Sequence, residues 1–492
     1  MTALMASSFC QPAFALDWNF TPTLNNSATF TDNVKQSANN RESALILSVT
    51  PGFTLVSKGS RRVQASVGYG LSGVARFGGD NSTDLNHNLS ATGKAELVED
   101  FLFLDGTARI SQELISLLGS PSDANTNSSN RATVGTYSFS PYVQKRLGTF
   151  ATAQARYTHS GAIFGDNAGS NIASDALTAS LGSGSRFNDF NWGLNYSLRK
   201  AEYADNGTTR AGNATFESTS ATLGYALSRK FRVFTTVGRD SNDFINASQS
   251  NGNFYTAGFG WSPSRRTSLD ASAGKRFLGN TFALSLLHRS HFSNWNIKYS
   301  EDVSDISQQF LTRGAIFAYA WKCGNSPQPL FTNDFSPPIN GVNCTPVVAF
   351  QSLNRSIAQG VFIIKDLTAS VAWSKGRVGA GLNVFDTRRN YLVLTNLEDR
   401  TQGISGNANY RLTPQTRVTT TLTFTNNQVP AGFSGLKMDR DDNIYTASIG
   451  IDHRFDSKVT GVLTLRRQQR ESNDPAASFD ENSITASLYM RF

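Results

Sequence analysis

Five histidines, one glycine-rich run and one acidic string are the places where this chain's residue types could do chemistry. His87, His159, His288, His291 and His453 are spread along the sequence. His288 and His291 stand three apart, a spacing that on a strand sends them to opposite faces, so they make a poor metal pair. His159-Ser160 offers a base beside a nucleophile, as a lipid-cleaving enzyme would need together with an orienting third group. Neighbours on a strand again face opposite ways. Gly68-Tyr69-Gly70-Leu71-Ser72-Gly73 spells G-x-G-x-x-G, yet a dinucleotide site requires those glycines between a strand and a helix, and no helical pattern follows. Asp439-Arg440-Asp441-Asp442-Asn443 collects hard oxygen donors suited to calcium, with Arg440 opposing the ion. The sequence therefore predicts no catalytic, cofactor-binding or metal residues, no cofactor and no enzyme.

A different kind of chemistry lies in the strands that carry these residues. Trp18, Phe20, Pro22, Leu24, Ala28 and Phe30 share one face, with Asn26 the exception, and Asn19, Thr21, Thr23, Asn25, Ser27 and Thr29 share the other. A period of two is strand geometry. The rhythm returns at Leu45, Leu47, Val49, Phe53 and Leu55, at Val63, Ala65, Val67, Tyr69 and Leu71, at Tyr445, Ala447, Ile449 and Ile451, and in about 22 segments in all. Short turns such as Ser57 to Ser60, Arg146 to Thr149 and Ser374 to Arg377 trade places with polar loops at 113–132, 200–213, 240–252, 426–441 and 469–480.

Sorting of loops by length onto two ends, with apolar and polar faces alternating, is the pattern of a transmembrane β-barrel with short periplasmic turns and long extracellular loops. No apolar run approaches the roughly 20 residues of a membrane helix, and only a closed sheet otherwise satisfies its backbone in hydrocarbon. Composition agrees. Charged residues make up 17% of the chain, against about 25% in ordinary globular domains, and mean hydropathy is -0.30. The fold class predicted is all-β, one transmembrane antiparallel barrel of about 22 strands over residues 16–492, in the bacterial outer membrane. Residues 1–15, ending Ala13-Phe14-Ala15, read as a signal peptide that includes Cys10 and lacks the usual basic n-region, as a truncated one would. The closing strand sets Ile484, Ala486, Leu488, Met490 and Phe492 on one face, a terminal pattern similar to the signal read by the barrel-assembly machinery.

The alternation turns a set of charges inward: Lys94, Glu96, Asp105, Arg109, Arg156, Arg199, Asp270, Arg276, Lys298, Asp366, Arg417, Asp452, Arg454 and Arg466. On the lipid face each Arg or Lys would cost about 2–4 kcal/mol at the midplane. The lumen is either wet, with a cationic excess that favours anionic solutes, or filled by its own paired charges. Lys365 breaks the rule among Ile363, Leu367, Val371 and Trp373, near a strand end where a long side chain snorkels. The short turns are basic, at Lys58, Arg61, Arg62, Lys145, Arg146, Lys230, Arg265, Arg266 and Lys458 among others, which suits anionic headgroups or an acidic polymer or periplasmic partner. Nucleic acid is not expected as a partner. An irregular insertion at 303–359 carries Cys323 and Cys344, an even count consistent with a disulfide or with two free thiols. It either folds over the barrel mouth or hides a hairpin near Gly314 to Trp321 that raises the strand number to 24.

The stretches "WNFTPTLNNSATFTDNV", "VTPGFTLVSKGSRRVQASVGY", "ELVEDFLFLDGTARISQE" and "FIIKDLTASVAWSKGRVGAGLNVFDTRRNYL" resemble the outer-membrane proteins associated with the PEP-CTERM/exosortase system. The resemblance spans nearly the whole mature chain and brings no catalytic signature. It implies a channel or scaffold for exopolysaccharide or sorted surface proteins, with lipid, lipopolysaccharide, exopolysaccharide or periplasmic export components as partners. A general or anion-preferring porin is the alternative, and a lipid-modifying enzyme a third.

Overall fold

The structure is a computed structural model. It describes residues 17–492 except 59, 61, 80, 122–129, 166–167, 205–212, 244–250, 278, 306–307, 310–318, 324–329, 333–343, 350–360, 393–396 and 434–435. In the short strands at 319–323, 330–332 and 344–349 it describes the backbone alone. The proposed signal peptide, 1–15, lies outside the described residues.

Strands account for almost all of it. In chain order they are β1 (Asp17–Thr31), β2 (Ala44–Lys58), β3 (Val63–Phe77), β4 (Ser82–Val98), β5 (Leu102–Leu114), β6 (Arg131–Leu147), β7 (Ala151–Phe164), β8 (Ile172–Ser183), β9 (Phe190–Tyr203), β10 (Ala214–Ser228), β11 (Phe231–Asp243), β12 (Gly252–Ser264) and β13 (Thr267–Arg276). There follow β14 (Gly279–Arg289), β15 (Ser293–Asp305), β16 (Tyr319–Cys323), β17 (Leu330–Thr332), β18 (Cys344–Ala349), β19 (Val361–Lys375), β20 (Val378–Tyr391), β21 (Glu398–Arg411), β22 (Thr416–Val429), β23 (Arg440–Arg454), β24 (Val459–Ser472) and β25 (Phe479–Arg491).

Every barrel strand pairs antiparallel with its neighbours, and β25 returns to β1, closing a sheet of 22 strands. The seam is a full ladder: Leu24 faces Met490, Ala28 faces Ala486 and Phe30 faces Ile484 on the outer side. On the inner side Thr29 and Thr485 hydroxyls meet at 2.9 Å, and the Phe492 N–H donates to the Pro22 carbonyl at 3.1 Å. Closure leaves no strand edge, which is the condition for lying in hydrocarbon. The outer face is the apolar one. Phe20, Phe30, Leu45, Val49, Leu194, Leu223, Tyr255, Leu422 and Ile449 are all exposed large side chains, and each belongs to the face that the alternation turns outward.

Two short-turn positions need a left-handed backbone and have glycine there, Gly148 (φ 59°) and Gly376 (φ 61°). The Gly68–Gly73 run sits inside β3, with Gly70 opposite Gly52 of β2, and forms part of the wall.

Three expectations are refined. Strands reach 17 residues in β4 and β6, beyond the bilayer's need, because they continue above the membrane on the long-loop side. Two connections on that side are tight, at 78–81 and 277–278. The insertion after β15 adds no hairpin to the barrel: β16, β17 and β18 form their own three-stranded sheet, in the order β17-β16-β18, so the barrel count is 22 and not 24.

Candidate functional site

The inner wall is built from the residues between the lipid-facing ones, and its exposure changes along the barrel axis. Near the short-turn end, Lys94 on β4, Arg232 on β11, Lys298 on β15 and Arg454 on β23 are solvent-exposed inner residues, which marks a water-filled vestibule. Toward the long-loop end many inner residues, apolar and polar alike, are sealed. Ala132, Val134, Ala162, Phe164, Ile172 and Ala201 form one buried cluster beside Ile115 and Ala168 of the connecting loops. Phe362 and Tyr391 form another with Leu397 and Phe433, and Val34, Ala44, Ile46 and Val74 a third. Loop side chains thus enter the outer half of the lumen and bury its wall.

Ion pairs occupy the sealed zone. Arg389 makes a two-pronged contact with Asp399 at 2.8 and 2.7 Å, and the Tyr391 hydroxyl donates to the same carboxylate at 2.8 Å. Both charged side chains are nearly inaccessible, at 4% and 3%. Arg199 pairs with Asp305 and lies 4.0 Å over the Phe216 ring, joining the wall of β9 and β10 to the end of β15. Arg276 holds Asp240 at 3.1 Å and reaches Asp302 at 3.3 Å.

Arg470 is the most connected. It pairs with Asp442, and its guanidinium donates to the carbonyls of Gly119 at 2.7 Å, Leu118 at 3.2 Å and Leu117 at 3.4 Å in the β5–β6 loop. Asp442 also accepts from Arg440 at 3.2 Å. The same loop is held by Ser120, which hydrogen-bonds Gln36, and Gln36 in turn donates to Glu481 at 2.7 Å and to Gln468 at 3.0 Å. Leu117 and Pro121 line one cavity with Phe385 and Thr423 of distant strands. The loop is therefore folded into the barrel and latched to its wall.

Of the inward charges read from sequence, several come together. Asp105 pairs with Arg156 at 2.8 Å, while Arg156 lies 3.9 Å over the Tyr142 ring. Asp270 pairs with Arg232 at 2.5 Å and Arg417 with Asp452 at 2.9 Å. Asp366 accepts from the Thr387 hydroxyl, Glu96 from the Asp100 N–H at 2.7 Å, and Arg466 donates to Gln468 at 2.6 Å. Arg109 lies on β5 at the register position opposite Ser90 and Thr136. Lys94, Lys298 and Arg454 make no ion pair among the described residues. The wall is thus largely self-neutralised at the closed end and cationic in the vestibule.

Sequence reasoning missed Arg76, Arg232, Asp240, Arg389, Asp399, Asp442 and Arg470. The parity of their own strands would have assigned each to the inner face.

The tempting constellations disperse. His159 lies on the outer face, where its Nδ1 meets Asp175 at 2.9 Å, and Ser160 points into the wall's interior and is buried. His288 meets the Thr267 hydroxyl at 2.8 Å, whereas His291 packs on Phe292. In the acidic string Asp439 accepts the Ala431 N–H, Asp441 takes an amide from Asn426, and Asp442 takes Arg440 and Arg470, so the carboxylates diverge. No cluster of three potential metal ligands exists among the described residues. Cys323 and Cys344 occupy directly opposed ladder positions of β16 and β18.

A closed antiparallel barrel with an apolar exterior and a polar interior is an outer-membrane barrel of Gram-negative bacteria. Solved structures agree. The chain is similar to the siderophore receptor PirA from Acinetobacter baumannii, with a TM-score of 0.51 and 10% identity over 97% of this chain and 81% of that one. It is similar to the FrpB iron transporter from Neisseria meningitidis, with a TM-score of 0.51 and 10% identity over 97% and 83%. A ferric enterobactin receptor, PfeA, from Pseudomonas aeruginosa gives 0.51 and 10% over 96% and 81%. At such identity the likeness establishes the fold. No protein-family model and no curated protein matches the sequence.

Proposed function

We propose that this barrel is a normally closed channel through the outer membrane, serving export of an anionic polysaccharide or of sorted surface proteins. The observation that carries the reading is the polarity of the lumen along its axis. A cationic vestibule opens at the short-turn end, and the β5–β6 loop pinned by Arg470 obstructs the opposite one. A substrate arriving from the periplasm meets Lys94, Lys298 and Arg454 in water, where they attract negative charge, before it meets the closure. Association with an exosortase-type system follows from the resemblance of the four sequence stretches alone. The siderophore and iron cargo of the similar structures is not carried over, because ten per cent identity brings no binding residues with it.

A diffusion porin is the second reading, favoured by the vestibule's unpaired lysines and disfavoured by the buried outer half, which would stop steady flow. Conductance of the refolded protein in planar bilayers separates the two. A closed channel shows rare openings that become frequent when the β5–β6 loop, residues 115–130, is replaced by a short Gly-Ser linker, and a porin conducts steadily in both forms. Silence in both would leave a scaffold. A strain lacking the protein should retain its polysaccharide or sorted proteins inside the cell; normal surface display would remove the export role.

A further inference from the structure

In one sector the outward side chains above the apolar rows include a run of cations. Lys365 on β19, Arg388 on β20, Arg400 on β21 and Gln428 on β22 stand in one row, each directly opposite the next in the ladder. Asp386, one step nearer the membrane, ties two of them together. Arg400 donates to both its oxygens at 2.8 Å, and Arg388 donates to it at 3.0 Å. Lys365 is exposed and makes no ion pair among the described residues. Arg388 and Arg400 thus share Asp386, with the Glu398 carboxylate also acting on Arg400, and Lys365 stands beside them. Glu301, opposite Lys365 on the far side, is engaged by the Tyr299 hydroxyl and the Phe282 N–H.

Beside the cations runs a ledge of amides. Gln402 donates to Asn426 at 3.3 Å, and Asn426 donates to Asn443 at 2.9 Å and to Asp441. Immediately below, on the same outer face, come Val384, Ile404, Phe424 and Tyr445.

Depth decides what this row meets. Asp386 and Arg388 lie eight and ten residues above Val378, at the short-turn end of β20. At about 3.3 Å per residue and a tilt of about 40°, that is roughly 20–25 Å up the barrel. The apolar band of such barrels is about 25 Å tall. On the far side, Val49 and Leu47 stand nine and eleven residues above the end of β2, at similar height, and both are exposed apolar side chains. The ionic row therefore sits at the headgroup level of the outer leaflet, with hydrocarbon-facing residues under it.

We propose that this sector, with Lys365, Arg388 and Arg400 as its anion ligands, binds a phosphorylated glycolipid of the outer leaflet. Guanidinium forks and an ammonium match phosphate oxygens. The Gln402 and Asn443 amides, held in place by the buried Asn426, match sugar hydroxyls and amide linkages, and the apolar rows below receive acyl chains. Phospholipids offer the phosphate without the saccharide and use only half of the surface.

The test uses the full refolded barrel in detergent, titrated with bisphosphorylated lipid A and read by native mass spectrometry. Binding is expected at the wild-type protein, with Kd raised about tenfold or more in K365Q/R388Q/R400Q, as the loss of charged hydrogen bonds implies. K200Q, on the opposite side of the barrel, should leave Kd unchanged. Because a triple variant could fail to fold, wild-type protein is also titrated with dephosphorylated lipid A and with phosphatidylglycerol, and both should bind at least about tenfold more weakly. Equal Kd for wild type and folded triple variant, or equal Kd for lipid A and phosphatidylglycerol, overturns the assignment.

Discussion

Arg470 on β24 pairs with Asp442 on β23, one diagonal step along the ladder, with both side chains sealed from solvent, at 2% and 1% exposure. The remaining donors of Arg470 hold a loop rooted at β5, six pairings away around the ring through β4, β3, β2, β1 and β25. A buried guanidinium spending its hydrogen bonds on a distant loop is a latch. Replacing it with glutamine removes charge-assisted bonds worth about 1.5–3 kcal/mol. Asp442 still keeps Arg440, so no carboxylate is stranded. R470Q should refold normally and raise the open fraction in planar bilayers by roughly tenfold or more. An unchanged open fraction would show that closure does not depend on this loop.

Arg389 and Asp399 form a second nearly sealed pair, in which the carboxylate takes both prongs of the guanidinium. D399N removes the carboxylate that both prongs of this buried guanidinium grip, beside Phe362 and Tyr391. Breaking such a pair costs about 3–5 kcal/mol. The expected result is a lower urea midpoint for D399N in lipid vesicles. R389M/D399L, which removes both charges, should recover most of the loss.

The alternation that made the barrel legible fails where its cause ends. Inside the bilayer one face must be greasy, so Phe20, Leu45 and Ile449 announce their strands. Above the bilayer both faces meet polar surroundings, the two-residue rhythm vanishes, and the ladder continues regardless. This is why 240–252, 426–441 and 469–480 read as loops although β11 runs to Asp243, β22 to Val429 and β24 to Ser472. The latch and the Arg276–Asp240 pair lie in those extensions. Pairings such as Arg199 with Asp305, 106 residues apart, were beyond reach for another reason: they depend on which distant strand ends meet once the ring closes, which no local period encodes. The outward Lys365 was visible in the sequence, but its companions Arg388 and Arg400 became a group only once the register was known.

The vestibule's charge sets selectivity. With Arg156, Arg232, Arg276 and Arg417 neutralised by partners, Lys94, Lys298 and Arg454 supply the excess positive charge. In a salt gradient the R470Q channel should therefore give a reversal potential of anionic sign. Adding K94E, K298E and R454E should move it to the cationic side, since these side chains stand in water and reversing them costs little stability. A wild-type vestibule that prefers cations would remove the anionic-substrate proposal while leaving the barrel untouched.

The paired positions of Cys323 and Cys344 in β16 and β18 give the insertion its own prediction. Opposed residues in an antiparallel ladder have Cα atoms about 4.5–5.5 Å apart, within the range a disulfide spans. The two thiols enclose a loop of some twenty residues, so the bond would remove about 3 kcal/mol of chain entropy from the open insertion. Protein isolated from cells with free thiols blocked should yield the single tryptic peptide 323–355, which carries both cysteines, unalkylated until dithiothreitol opens the bond. If both cysteines are instead recovered alkylated, the small sheet is held by backbone hydrogen bonds alone. C323S/C344S should in either case leave barrel assembly intact, because β16, β17 and β18 share no ladder with the 22 strands of the wall.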